Sequence, residues 1–142
     1  MKVSMKVLKM LYKDAEKAYK KKEIPVSAVI VDEMGNIVSH ACNNRQKEFN
    51  VLGHAEVVAI IKAEKKIKDW RLSNCCMYVT LEPCSMCSMI IKESRIKKVY
   101  YFLSSNDQNF ESFGINKKEV VGYKEEKDKF KELLTSFFDN RR

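Results

Sequence analysis

No stretch of this 142-residue chain approaches the roughly 20 apolar residues of a membrane-spanning helix, and no internal repeat or low-complexity tract appears. Lysines interrupt Met1 to Lys22 every few positions, so the beginning of the chain lacks the continuous apolar core of a signal peptide. A soluble, cytoplasmic protein is the expectation. Five cysteines are an odd number, which, without a secretory signal, disfavours a disulfide framework. Cys42, Cys75 and Cys76 are expected to be free packing residues, the last two facing opposite ways if they open a strand. Histidine is scarce as well, with two in the chain.

What is present is an ordinary core-forming share of apolar residues, 45%, in a length that suits one domain spanning 1–142. Positive charge is in excess, at a net +8, which implies attraction to a polyanion such as nucleic acid. The first twenty-four residues carry eight lysines against three acids, and the runs 62–71 and 92–98 are also basic. Solvated helix surface is the competing reading of each run.

Periodicity orders the elements. Leu8, Leu11, Tyr12, Ala15, Ala18 and Tyr19 recur at helical spacing and predict an amphipathic helix covering one sheet face. Val26 to Val31 is a short apolar run after Pro25, and Ile37 to Cys42 returns across the turn-forming segment 32–36, which together predict a hairpin. Ala55, Val58, Ala59 and Lys62 set a helix from His54 to about Lys66. Cys76 to Leu81 reads as a strand, with Pro83 at the entrance of a helix whose first turn holds Cys84 and whose core face is Met86, Met89, Ile90 and Ile91. Lys97 to Leu103 is a further strand, 104–116 a long polar loop, and Val120–Val121 the centre of a weak strand. Phe130, Leu133, Leu134, Phe137 and Phe138 predict a last helix from Lys124 to Phe138. This order fits a three-layer α/β/α arrangement around a mixed sheet.

Two short motifs carry the chemistry: His54-Ala55-Glu56 and, twenty-six residues later, Pro83-Cys84-Ser85-Met86-Cys87. One imidazole and two thiols supply three of the tetrahedral positions of a zinc ion, and a catalytic zinc leaves its fourth to water. Glu56 lies close enough to move protons without binding the metal, the position of a general acid/base. On its own, Cys84-x-x-Cys87 reads as readily as a structural zinc half-site, a redox pair or two buried thiols. The helix entrance favours a thiolate at Cys84.

With these motifs in hand, the chain resembles the cytidine deaminase-like superfamily and, within it, the bacterial tRNA-specific adenosine deaminases. The likeness extends to Glu23-Ile24-Pro25-Val26, Asn43-Asn44-Arg45, Trp70-Arg71-Leu72, the run from Tyr78 to Cys87, and the closing stretch from Leu133 to Arg142. The resemblance implies a cytidine deaminase-like fold, a zinc ion on His54, Cys84 and Cys87, and hydrolysis of adenosine to inosine with Glu56 shuttling protons. It also implies Asn43 hydrogen-bonding the flipped base, and Phe137, Phe138, Arg141 and Arg142 meeting a tRNA anticodon loop near the wobble position. A homodimer is implied by the resemblance alone. Asn43 has a second reading, as a residue capping backbone.

The chain departs from the family at two loops. Where Gly-Ala-x-Asp-x-Lys-x-Gly is usual it has 102–109, with Ser105 in place of the aspartate and Asp107 two residues on. Where Asp-Pro-x-Ala leads into the histidine it has Asn50-Val51-Leu52-Gly53. Two rival functions remain open: a zinc deaminase of free cytidine, cytosine or guanine, and a non-enzymatic zinc-stabilised RNA-binding protein.

Overall fold

The structure is a computed structural model describing residues 2–46, 49–105 and 113–140. Its elements are α1 (Met5–Lys20), β1 (Ser27–Val31), β2 (Ile37–Cys42), α2 (Ala55–Ile67), β3 (Cys76–Leu81), α3 (Ser85–Ser94), β4 (Lys98–Leu103), β5 (Lys117–Glu119) and α4 (Lys124–Asp139). Five strands form one sheet in the order β2-β1-β3-β4-β5. β1 runs antiparallel to both β2 and β3, while β3, β4 and β5 are parallel.

Two apolar cores, one on each sheet face, make the three layers. α1 and α4 cover the face where Val29, Val31 and Phe102 meet Leu8, Leu11 and Phe130. Phe102 and Phe130 pack edge to face there, at 5.4 Å and 74°. α2 and α3 cover the other face, where Ala28, Ile30, Met77 and Val99 meet Ala59, Ile60, Ala63 and Ile91. Cys75 and Cys76 divide between the two cores as alternation along a strand requires. Among the described residues every cysteine is a free thiol.

Local chemistry explains the boundaries. The Ser4 hydroxyl accepts the N–H of Val7 at 3.2 Å, capping α1. The hairpin turn is closed by Asp32, whose Oδ1 accepts the N–H groups of Met34 and Asn36, each at 2.9 Å, and Gly35 supplies the positive φ of +85°. One link was invisible to periodicity: Asp14, buried on α1, pairs with His40 Nδ1 on β2 at 2.6 Å. No helix is long and apolar enough to cross a membrane among the described residues.

Two expectations are corrected. β5 lies at Lys117–Glu119, upstream of Val120–Val121, because pairing to β4 begins at Lys117 opposite Val99; Val120 follows, donating its N–H to Tyr101 at 2.8 Å with its side chain buried. Met89 is not core but 53% exposed, since α3 turns Cys87, Ser88, Ile91 and Ser94 inward instead.

Candidate metal centre and active site

Helices α2 and α3 lie on the same face of the sheet, and each begins with a residue of the metal motif. His54 is the N-cap of α2 and Cys84 the N-cap of α3, both in extended backbone conformation. Cys84 therefore precedes the first helical turn rather than lying within it, the helix starting at Ser85 once the chain has passed Pro83. Cys87 falls one turn inside α3, and Glu56 on the first turn of α2. Two positive helix ends thus face one spot, which favours thiolate and carboxylate there.

The distances suit a metal. His54 Nδ1 stands 3.4 Å from Cys87 Sγ and 3.8 Å from Cys84 Sγ. Zinc bonds of about 2.3 Å to sulfur and about 2.0 Å to nitrogen, set tetrahedrally, place nitrogen and sulfur about 3.5 Å apart. The three donor atoms lie within 4.8 Å of one another, and no other such cluster of His, Cys, Asp or Glu occurs among the described residues. The thiols also behave as a ligand pair: the hydrogen bond from Cys87, followed by that from His54, lowers the Cys84 thiol to about 4 despite its burial. The same bond and burial push the Cys87 thiol far above the usual range. Zinc binds thiolates, so a divalent cation entering this site displaces whatever protons the two thiols carry. Hydrogen bonding to Cys84 raises His54.

Glu56 is 4% exposed, and burial raises its carboxyl to about 7, with His54 and the Cys87 thiol pulling the other way. A carboxyl so placed exchanges protons readily near neutral pH. Asn43 lies beside it in the fold. Its Oδ1 accepts the N–H of Ala55 at 2.7 Å, capping the start of α2 and fixing the amide, whose Nδ2 remains as a donor. Of the two readings of Asn43, backbone capping is the one this hydrogen bond displays.

Beside Asn43 opens a groove of about 880 Å³ whose wall includes Lys20, Lys21, Lys22, Arg45 and Phe137. Phe137 is mostly buried, edge to face with the half-exposed Phe138 at 5.3 Å. Arg141, Arg142 and Asp107 lie outside the described residues. The groove could not be read from sequence, because the end of α1, the loop after β2 and the end of α4 meet only in the fold. Glu23, in the family-like stretch Glu23-Ile24-Pro25-Val26, is 3% exposed and accepts the N–H of Gln46 at 3.1 Å, pinning the loop after β2. That loop also explains Gly53: a Cβ there would come within 2.6 Å of Asn44 Oδ1 and 2.7 Å of the Arg45 nitrogen.

A helix-start imidazole and carboxylate facing a Cys-x-x-Cys helix start, beneath a mixed five-stranded sheet, define a zinc-dependent deaminase site. The chain belongs to the family of the cytidine and deoxycytidylate deaminase zinc-binding region, whose model matches residues 1–103. Within it, the chain is similar to proteins named tRNA-specific adenosine deaminase: that of Rickettsia bellii at 46% identity over 95 residues, 66% of each chain, and that of Haemophilus influenzae at 33% identity over 96% of this chain and 84% of the relative. The match to the Bacillus subtilis protein of the same name spans 58% of that relative. Among solved structures, a tRNA:A34 deaminase superposes with a TM-score of 0.79 at 23% identity, covering 92% of this chain and all of the other. A guanine deaminase from Bacillus subtilis superposes at 0.67 with 26% identity, covering 99% and 94%. Backbone likeness is therefore shared by enzymes of different bases.

Proposed function

We propose that this chain is a single deaminase domain that hydrolyses adenosine to inosine in a tRNA anticodon loop, at the wobble position, in the cytoplasm. The observation that carries this reading is a lysine-rich groove whose wall includes Asn43, the residue bonded to the backbone of Ala55 between His54 and Glu56. A free nucleobase needs no such basic wall, whereas an RNA strand does. The relatives named for this activity support the choice.

His54, Cys84 and Cys87 would hold the zinc. When bound, zinc supplies a Lewis acid that brings the pKa of a water near ~7. Glu56 accepts a proton from the attacking water and delivers it to the ring nitrogen beside the reacting carbon; it then takes the proton of the new hydroxyl on that carbon and passes it to the amino group, which leaves as ammonia while the carbonyl forms. Asn43, its oxygen committed to Ala55, donates from Nδ2 to the extruded base. Phe137, Phe138, Arg141 and Arg142 are the residues we assign to contact with the loop, whose unpaired bases are splayed out at low cost.

Incubation of the purified protein with total tRNA should convert one anticodon adenosine to inosine, read as an A-to-G change. Efficient turnover of free guanine or cytidine with every tRNA adenosine intact would establish the free-base reading instead. Affinity should fall steeply with salt, and the triple variant Lys20→Gln, Lys22→Gln, Arg45→Gln should reduce the log–log slope by about 2, at roughly 0.7 per phosphate contact on a single strand.

A second copy of this chain is the partner we assign to the α2–α3 face. Ile61, Trp70 and Met89 are 42%, 55% and 53% exposed there around one apolar groove. Trp70 also carries Arg71 and Arg95 at 5.5 and 5.6 Å from its ring. Light scattering at micromolar concentration should give a dimer mass that Met89→Asp shifts to monomer; a monomeric, fully active wild type would refute the assignment.

A further inference from the structure

Beside the metal-ligand motif, one carboxylate joins three segments of chain. Glu82 follows β3 and is separated from the ligand Cys84 by Pro83 alone. Its Oε1 accepts the N–H of Ser105 at 3.0 Å and its Oε2 meets Lys117 Nζ at 2.6 Å. Its own N–H donates to the carbonyl of Leu103 at 2.9 Å. The two charged side chains are 11% and 16% exposed. A single residue therefore ties the approach to Cys84, the exit of β4 and the start of β5.

The energetics argue for placement rather than for bulk stability. Desolvation of a buried ion pair offsets most of its attraction, so such a pair is weak evidence for stability. A charge-assisted hydrogen bond to a backbone N–H, however, sets a distance and a direction. The place matters too: Leu81 pairs with Leu103, so the chain leaving β4 emerges beside the metal-ligand segment, at the carboxyl ends of parallel strands. That is where open α/β sheets receive their ligands.

We propose that Glu82 is a positioning residue for the substrate: through Ser105 and Lys117 it sets the exit of β4 against the metal centre, so that nucleotides flanking the reacting base meet a preformed surface. This rests on the reading of the substrate as RNA. Positioning by preformed contacts acts on binding more than on the chemical step.

Two double variants separate this role from simple packing, and neither leaves a lone buried charge. Glu82→Gln with Lys117→Met removes both charges and keeps an acceptor for Ser105. Glu82→Leu with Lys117→Met removes the acceptor as well. The first should keep KM for tRNA near the wild-type value. The second should raise it by about fivefold to tenfold, the worth of one such hydrogen bond, with kcat and zinc content nearly unchanged. Exchange of the Ser105 amide proton should be slow in the wild type and the first variant and fast in the second. Equal KM in the two variants, or loss of zinc together with turnover in the second, overturns the proposal. If the intact protein leaves tRNA adenosines unchanged, the RNA reading falls and takes this role with it. Normal tRNA turnover with Ser105 exchange unaltered by Glu82→Leu with Lys117→Met overturns the positioning role alone.

Discussion

Replacement of Glu56 by alanine is expected to leave fold and zinc content intact and to lower turnover by roughly two to four powers of ten, the span of a general acid/base group. The asymmetry follows from the position of the carboxyl. Glu56 is 4% exposed on the first turn of α2, outside the triad of metal donors, and burial already holds its carboxyl up at about 7. Removing it relieves a desolvation cost, so stability should not suffer. Glu56→Gln keeps the volume and the hydrogen-bonding shape while abolishing proton transfer, and should be nearly as inactive. Single-turnover rates beside metal analysis make the comparison. A zinc-loaded alanine variant with near-normal rate would remove Glu56 from the mechanism, and would favour a zinc-stabilised binding protein over an enzyme.

The second large effect is on the metal itself. Cys84→Ser should lose zinc and all measurable turnover, and Cys87→Ser the same, whereas Cys75→Ser should retain both. A hydroxyl is a poor replacement for a thiolate toward zinc, and the protein has already prepared Cys84 as one, with its thiol lowered to about 4. Cys75 is a buried thiol, but it belongs to the α2–α3 core with Ala28, Met77 and Ile91 and to no cluster of metal donors among the described residues. The metal-to-protein ratio after dialysis distinguishes the outcomes: near one for the wild type and Cys75→Ser, near zero for the two ligand variants. Equal loss from Cys75→Ser and Cys84→Ser would overturn the assignment. Because metal ligands bind deprotonated, loading of the empty protein should also release protons, measurable in weak buffer.

Element order was legible because burial on one face leaves a period in the sequence. β2 and β3 were expected at Ile37–Cys42 and Cys76–Leu81 and are found there, since apolar runs bounded by turn residues leave little choice of phase. Met89 was misread for a related reason: periodicity shows that α3 has an apolar side, but not which of its apolar residues the sheet covers. β5 escaped because Lys117, Lys118 and Glu119 pair through backbone alone at an edge, where side-chain pattern carries no signal.

The donor types and their local spacing belong to the sequence: an imidazole two residues from a carboxylate, and two thiols one helical turn apart, are compatible with few metals other than zinc. Their convergence belongs to the fold. His54 and Cys84 are thirty residues apart, and they meet because both cap helices laid on the same sheet face. The tertiary structure alone buries Glu56, spends the Asn43 oxygen on Ala55, assembles the lysine groove from α1, α4 and the loop after β2, and joins Glu82 to Lys117. The physical reason is that periodicity records only how each segment sits against its own surroundings. Which distant segments share those surroundings is set by strand order and packing, and these depend on the whole chain at once.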